Sequence, residues 1–311
     1  MTANTHARAE VQGRQVLIRV AIPHYFRPGG DALGYASTRP TSSRAARAVA
    51  LGRCLGSVMA MARGPEEQIL SIIDQRLLVA PRRSFPSGAI SNVFIDCHVF
   101  VRRDDCLSEV LELFQDQIHV HELELDDPRR LPHAARDFLL NDDGNGSAHL
   151  SLYLEDDLVI DDRLFIEKQL WFLERSRHKA VLMPHRFERA PSHGQPRLFV
   201  DGPIDPSAFP DHHRPLEGAA RGCFQGGQEI VFDLASNPHS GCFAVSQSQR
   251  RWIQQRGVVD DGFVGPLETV ATFTVLQHFP VLKPSWLQRD FLCVEHAHPS
   301  YLAYRDALQC F

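Results

Sequence analysis

A single α/β domain with a mostly parallel central sheet flanked by helices is predicted for this chain, on three observations. Strands and helices alternate through its first half, as in βαβ units. The first strands are near-continuous apolar runs, the pattern of a sheet covered on both faces. An acidic triplet, Glu155-Asp156-Asp157, stands where one such strand ends, and open α/β sheets bind ligands beyond the carboxyl ends of their strands.

The elements follow in order. Residues 1–13 read as a disordered lead, and 14–311 as the domain. Gln15 to Ile22 is a buried strand rich in β-branched residues, ending at Pro23-His24-Tyr25-Phe26. The Gly/Ser/Arg-rich stretch from Gly29 to Ser43 is long enough for a functional or mobile loop. Ser42 or Ser43 caps a helix from Arg44 to about Ala62. Asn92 to Val101 is a second strand, Cys106 to Gln115 a helix, and Ile118 to Leu123 a third strand. Leu131 to Leu140 is a helix with an early proline. His149 to Leu154 is the strand that ends on the triplet, and Asp161-Asp162 leads into a helix through Arg175. The second half differs. Pro191 to Gly227 is rich in Pro, Gly and His and reads as a mobile loop on the acceptor side. Glu229–Phe232 and Gly241–Val245 read as a hairpin, a helix runs from Pro266 to Phe279, and the tail reads as loop.

Composition bounds the function. The 311 residues are 43% hydrophobic and 23% charged with a net charge of -5, ordinary globular values. No basic field points to nucleic acid, so an anionic ligand must be met by local arginines or a metal. The seven cysteines are scattered, with no C-x-x-C pair. Reduced thiols and a cytoplasmic location are expected, rather than a disulfide framework or a structural zinc site. No signal-peptide pattern and no apolar run of spanning length is present. Peripheral contact with a membrane stays open, and oligomeric state is not legible.

The triplet carries the chemistry. Carboxylates that interrupt an apolar strand are costly to bury without partners. While the chain stays extended, Glu155 and Asp157 point to the same side. Two hard oxygen ligands there suit Mg²⁺ or Mn²⁺, which also takes phosphate oxygens from a substrate. The competing reading is an acidic turn capping the next helix, although Asp161-Asp162 can serve as that cap.

The segment Leu152–Ile160 resembles the D-x-D region of GT-A fold glycosyltransferases, in which an acidic triplet follows a core strand. The resemblance implies a GT-A-like, Rossmann-like domain whose residues 14–160 bind a nucleotide-diphosphate sugar and whose residues 161–311 face a glycan or small-molecule acceptor. It makes Asp157 a direct metal ligand and Glu155 a contact to the ribose or the metal, with Asp156 part of the donor-binding triplet. Glu155 departs from the first Asp of the pattern, which leaves its role open. Three further landmarks follow in the family's order. Asn237–Phe243 resembles the glycine segment near the donor sugar, with Gly241 at its centre. Glu268, in the first turn of a helix, resembles the base of an inverting transfer, with Asp261 a competing candidate. His296 and His298 offer the late metal-ligating histidine, with His298 preferred. A carboxylate takes the acceptor proton, a divalent metal neutralises the leaving diphosphate, and glycine lets backbone approach the sugar.

At the nucleotide end, the resemblance implies contacts near Pro23 or Tyr25, at Asp96 and at Arg136. Tyr25 packing the strand end, and Asp96 as a paired mid-strand carboxylate, are equally open readings. Arg44 and Arg47, one turn apart, meet phosphates or stand in solvent. Two other functions compete with sugar (hexosyl or related) transfer. One is a metal-dependent hydrolase or phosphodiesterase, which usually needs more than one acidic cluster. The other is a non-catalytic nucleotide or glycan binder on the same fold. No P-loop or dinucleotide fingerprint is present.

Overall fold

The computed structural model of the chain describes residues 14–28, 43–64, 66–81, 90–141, 148–190, 196–263 and 265–305. The expected disordered lead at 1–13 and most of the Gly29–Ser43 loop lie outside the described residues.

The elements run β1 Arg14–His24, α1 Arg44–Met59, β2 Glu66–Ser71, β3 Arg76–Pro81, β4 Ile90–Arg102, α2 Ser108–Leu111, β5 His119–Leu123, α3 Leu131–Leu140, β6 Leu150–Leu154, β7 Leu158–Val159 and α4 Phe165–Arg175. They continue as β8 Val181–Leu182, β9 His185–Glu188, β10 Leu198–Phe199, β11 Leu216–Cys223, β12 Glu229–Leu234, β13 Cys242–Ser246, α5 Gln247–Arg256, α6 Pro266–Glu268, α7 Thr274–Leu276, β14 Val281–Pro284, β15 Cys293–His296 and α8 Leu302–Arg305.

The central sheet has the order β13-β6-β1-β4-β5. β1 pairs in parallel with both β4 and β6, β4 pairs in parallel with β5, and only β13 enters antiparallel, at the edge beside β6. This is the mixed α/β architecture with a mostly parallel sheet that the apolar runs imply. Strand alternation divides the core. Val16, Ile18, Val20 and Ile22 pack on one face with Leu51, Cys54, Leu55 and Val58 of α1. Ala21 faces the other way, in a cluster with Leu131, Ala135 and Leu139 of α3 and with Tyr153 of β6.

Four expectations need correction. Glu229–Phe232 and Gly241–Val245 do not form a hairpin. β12 pairs with β11 and β14, whereas β13 pairs with β6 in the central sheet. The intervening Asn237, His239 and Ser240 are buried, so the connection is packed chain rather than a tight turn. The tail is not loop: β14 lies between β12 and β8, and β15 lies between β9 and β7. Its polar residues are buried because they are paired, as with Glu295 accepting from Arg53 and Arg189. Pro191–Gly227 is not a featureless loop either, since it carries β10 and β11. His212 and His213 there bond the backbone carbonyls of Leu276 and Ala235, and Phe209 and Phe224 are buried in the core. Finally, the helix after Cys106 is one turn of α-helix, α2, followed by a 3₁₀ turn, Glu112–Phe114. The β2–β3 hairpin has no predicted counterpart.

Other details hold. Ser43 caps α1, its hydroxyl accepting from Ala46 N at 3.1 Å. Asp162 organises the entry to α4, with one carboxylate oxygen accepting from Leu164 N and the other from Lys168 Nζ. Among the described residues no helix is long and apolar enough to cross a membrane.

Candidate active site at the end of β6

The parallel register carries β1 and β6 to one edge of the sheet. Ala21 lies opposite Tyr153, so three residues further on His24 lies beside Asp156. The contact is made: His24 Nδ1 is 2.5 Å from Asp156 Oδ2. Leu107 N–H donates to Nε2 of the same ring at 3.0 Å, so Nδ1 carries the proton and donates to Asp156.

Arg47, in the first turn of α1, neutralises the triplet. It is 5% exposed, and its guanidinium donates to both oxygens of Asp156 at 2.7 Å and to Asp157 Oδ2 at 2.9 Å. Burial opposes its charge, but Asp156 and Asp157 hold its pKa above the ordinary arginine value. Arg47 is therefore a buried partner of the carboxylates rather than a solvated side chain. Arg44 instead pairs with Glu109 at the exposed surface.

The three carboxyls differ. Glu155 is buried. Burial first, then the charge of Asp157, pushes its pKa up to about 8, and its Oε1 has no hydrogen-bond partner. Burial would also raise Asp157, but the neighbouring His296 and Arg47 hold it well below the carboxylate range. Asp156 is lowered against its burial by Arg47 and His24.

His296 reaches this point through β15. It pairs with Leu158 of β7, and Ala297 N donates to Asp157 O at 2.7 Å, which sets the ring beside the triplet. Its Nε2 is 3.4 Å from Asp157 Oδ2, and its Nδ1 is 2.8 Å from Glu188 Oε1. Burial would lower its pKa, but Asp157 and Glu188 raise it to about 9. Glu188 is fully buried and also accepts from the backbone N–H groups of Ser300, Tyr301 and Leu302. One carboxylate thus fixes both the ring and the turn that follows it.

A single pocket is lined by Pro23, Tyr25, Arg47, the triplet, Arg186, His239, Leu267, Glu268, His296, His298, Ser300 and Tyr301. Pro23, Tyr25, Glu155, Asp156, Asp157, Glu268, His296 and His298 are thereby brought together from sites far apart in sequence. Gly241 lies against the triplet: its carbonyl oxygen accepts from Glu155 N–H at 3.0 Å. Three expected residues stand elsewhere. Asp96 is bonded to Arg19 at 2.8 Å on the central sheet. Arg136 donates to Asp260 Oδ1 at 2.8 Å, and Asp261 is exposed and does not line the pocket.

Sequence reasoning missed Arg186, His239, Glu188 and Tyr301. Arg186 is buried against Asp201, which also accepts from Lys283 Nζ at 2.8 Å, and Lys283 in turn donates to His239 O. Arg186 and Glu188 lie on β9, four residues long, too short for periodicity to show, and His239 and Tyr301 lie on no strand. A π-turn, Thr269–Phe273, directly follows Glu268, and such turns gather at functional sites. His239 Nδ1 lies 2.8 Å from Thr272 Oγ1 within it.

Gly241 has a structural requirement. Its φ is +63°, and a Cβ would lie 2.7 Å from Glu155 Oε2 and 2.9 Å from Leu158 Cδ1. Gly241→Ala is expected to destabilise the fold by roughly 2–4 kcal/mol, combining left-handed strain with overpacking. Urea unfolding checks this, and a loss below about 1 kcal/mol would mean that the Glu155 side chain moves aside freely.

Among the described residues, no three His, Cys, Asp or Glu side chains are arranged to hold a metal on their own. No family model matches the chain, and no curated protein matches it. Among solved structures, the chain is similar to S. aureus TarS, at 10% identity and a TM-score of 0.41, over 86% of this chain and 35% of that one. It is similar to the 1–349 fragment of TarS in complex with UDP-GlcNAc, at 10% identity and a TM-score of 0.42, over 92% of this chain and 62% of that one. The same fragment in complex with UDP matches at 10% identity and a TM-score of 0.40, over 86% and 57%. The chain thus spans less than two thirds of each of these structures.

Proposed function

We propose that the chain is a metal-dependent glycosyltransferase of GT-A type, moving a hexosyl or related sugar from a nucleotide-diphosphate donor to an acceptor hydroxyl. The observation that carries this reading is convergence. The acidic triplet, Glu268 and the late histidines, which follow one another in the order of that family, line one pocket, and Gly241 lies directly against Glu155. In this reading residues 14–160 hold the donor and residues 161–311 face the acceptor.

The residues fit a divalent ion that completes its shell with donor oxygens. His296 gives its Nδ1 to Glu188 and turns Nε2 towards Asp157, the arrangement in which a carboxylate orients a metal-ligating histidine. The raised pKa of His296 marks a position that favours positive charge. Asp157 and His296 would hold Mn²⁺ or Mg²⁺, with His298 beside them; few protein ligands suffice where phosphate supplies the rest. When bound, the ion would neutralise charge on the leaving diphosphate. Arg47 keeps Asp156 and Asp157 ionised and in place. Glu155, protonated near neutrality, can donate a hydrogen bond to a ribose or sugar oxygen. Glu268 is the proposed base.

A thermal-shift panel of UDP, GDP, CDP and dTDP, with and without Mn²⁺, tests the proposal. One nucleotide is expected to stabilise only with the metal, by about 2.7 kcal/mol at a hundredfold excess over Kd. Asp157→Asn is expected to remove that effect. If no nucleotide stabilises, or the effect survives the substitution, the triplet is a structural turn and the donor reading fails.

A further inference from the structure

Arg186 is held in the pocket by a buried network that leaves its outer edge open. It lies on β9 and is 5% exposed. β10 pairs with β9, and Val200 N donates to Arg186 O at 3.1 Å, which carries Asp201 alongside. Asp201 Oδ1 accepts from Arg186 Nε at 2.9 Å, and Oδ2 accepts from Arg186 N and from Lys283 Nζ, each at 2.8 Å. Lys283 also donates to His239 O at 2.6 Å. The guanidinium is thus fixed through Nε, one of its five donor N–H groups. Among the described residues its two terminal nitrogens meet no acceptor, and neither is sealed from solvent. They belong to a side chain that lines the pocket.

The charges around it are out of balance as well. Arg186 and Lys283 are both buried and share one carboxylate, Asp201, which despite its burial they hold well below the carboxylate range. Burial keeps His239 neutral. Glu155, the other carboxyl near Arg186, is protonated near neutrality because it is buried beside Asp157. Asp156 and Asp157 have a cation of their own in Arg47. A buried cation without full counter-charge is costly, and a guanidinium fork suits the paired oxygens of phosphate or carboxylate.

We propose that Arg186 is an anion-recognition residue, whose two terminal nitrogens receive a phosphate or carboxylate group of a substrate. Two groups bring that chemistry: the diphosphate of the donor, and an anionic group on the acceptor. β9, Asp201 and Lys283 all belong to the half that faces the acceptor in the proposed transfer. The diphosphate already has a place at Asp157 and His296, which favours an anionic acceptor. Only this choice of source rests on the transferase reading; the anion site stands on the surroundings of Arg186.

Calorimetric titration of inorganic phosphate into the full chain, in chelator and without nucleotide, tests the site apart from the transferase reading. The wild type is expected to bind, and Arg186→Met to bind about tenfold to a hundredfold more weakly, the range for hydrogen bonds to a charged group. Arg186→Lys should recover part of the loss, since it keeps the charge but not the fork. Thermal melting checks that each variant is folded, and Lys283 remains to hold Asp201. Wild-type crystals soaked in tungstate, a phosphate surrogate, need no variant: the anomalous peak should lie within hydrogen-bond distance of the Arg186 terminal nitrogens. The wild-type titration is then repeated in the presence of Mn²⁺ and the nucleotide that the thermal-shift panel selects. Phosphate binding that survives assigns the anion to the acceptor; competition keeps the residue and assigns the anion to the diphosphate. Phosphate that does not bind, phosphate that binds Arg186→Met as well as the wild type, or a tungstate peak elsewhere overturns the proposal, whatever the nucleotide panel shows.

Discussion

Arg47→Met is expected to lower the unfolding free energy by about 3–5 kcal/mol, the usual consequence of removing one partner from a buried ion pair. Methionine keeps most of the volume, so the loss reports charge rather than packing. In the wild type, Arg47 bonds both oxygens of Asp156 and one of Asp157, and all three side chains are withdrawn from water. In the variant, Asp156 keeps His24 and Asp157 keeps His296, but two adjacent carboxylates share one site with less compensating charge. The dependence on pH has a definite sign. Asp156 and Asp157 have depressed folded pKa values, so their contribution is present above the ordinary carboxylate value near 4 and fades as pH falls through the folded values. The gap between wild type and variant should therefore be full at neutrality and close in acid. Urea unfolding in chelator-containing buffer, at pH 7 and stepwise downward, reads it. A gap below about 1 kcal/mol at neutral pH would show that water or a bound cation takes over from the guanidinium.

The parts of the fold that were legible share a physical basis. β1, β4 and β6 are long or fully buried and declare themselves through apolar content. α3 declares itself through its early proline and apolar face. The strands that build the rest of the pocket are short and polar. β9 is His185–Glu188 and β15 is Cys293–His296, and their charged residues are buried only because partners arrive from distant elements. Glu188 needs His296 and the turn at Ser300–Leu302; Arg186 needs Asp201, which Lys283 also bonds. No local pattern announces such pairings, since each half is meaningless without the other. The same cause misdirected the hairpin, where β12 and β13 are neighbours in sequence but better satisfied in different sheets. The triplet was legible because three successive carboxylates violate the apolar strand around them. Asp96 and Arg136 were drawn from regions the family uses, and Asp261 was a competing candidate for the base; here they sit in ion pairs or solvent away from the pocket. Arg47 was seen but left undecided, because its role depends on a contact 109 residues away.

Glu268→Gln is expected to reduce donor turnover by about 10²–10⁴-fold, the range that a positioned general base contributes, while nucleotide binding survives. Two carboxyls in the pocket, Glu155 and Glu268, stand apart from the Arg47 cluster. Glu155 is unsuited to take a proton, since burial and the field of Asp157 keep it protonated up to about pH 8. Glu268 lines the same pocket from the first turn of its helix, with its carboxylate folded back over Gly265: a Cβ there would lie 2.7 Å from Oε2. The π-turn behind it lets the helix start at the pocket and still bury Thr269 to Phe273 in the core. Glutamine keeps the shape and removes the basicity, so the effect should fall on kcat with Kd for the nucleotide unchanged. The measurement is turnover of the nucleotide sugar whose diphosphate the binding panel selects, alongside calorimetric binding of that diphosphate. Turnover that is unchanged shows that no base is needed at this position, as expected of a transfer with retention. Loss of binding together with turnover shows that Glu268 holds the donor and that the proton goes elsewhere. A fall in kcat alone assigns the proton to Glu268 and the reaction to inversion, because only a group on the acceptor side of the sugar can deprotonate an attacking hydroxyl without touching the diphosphate.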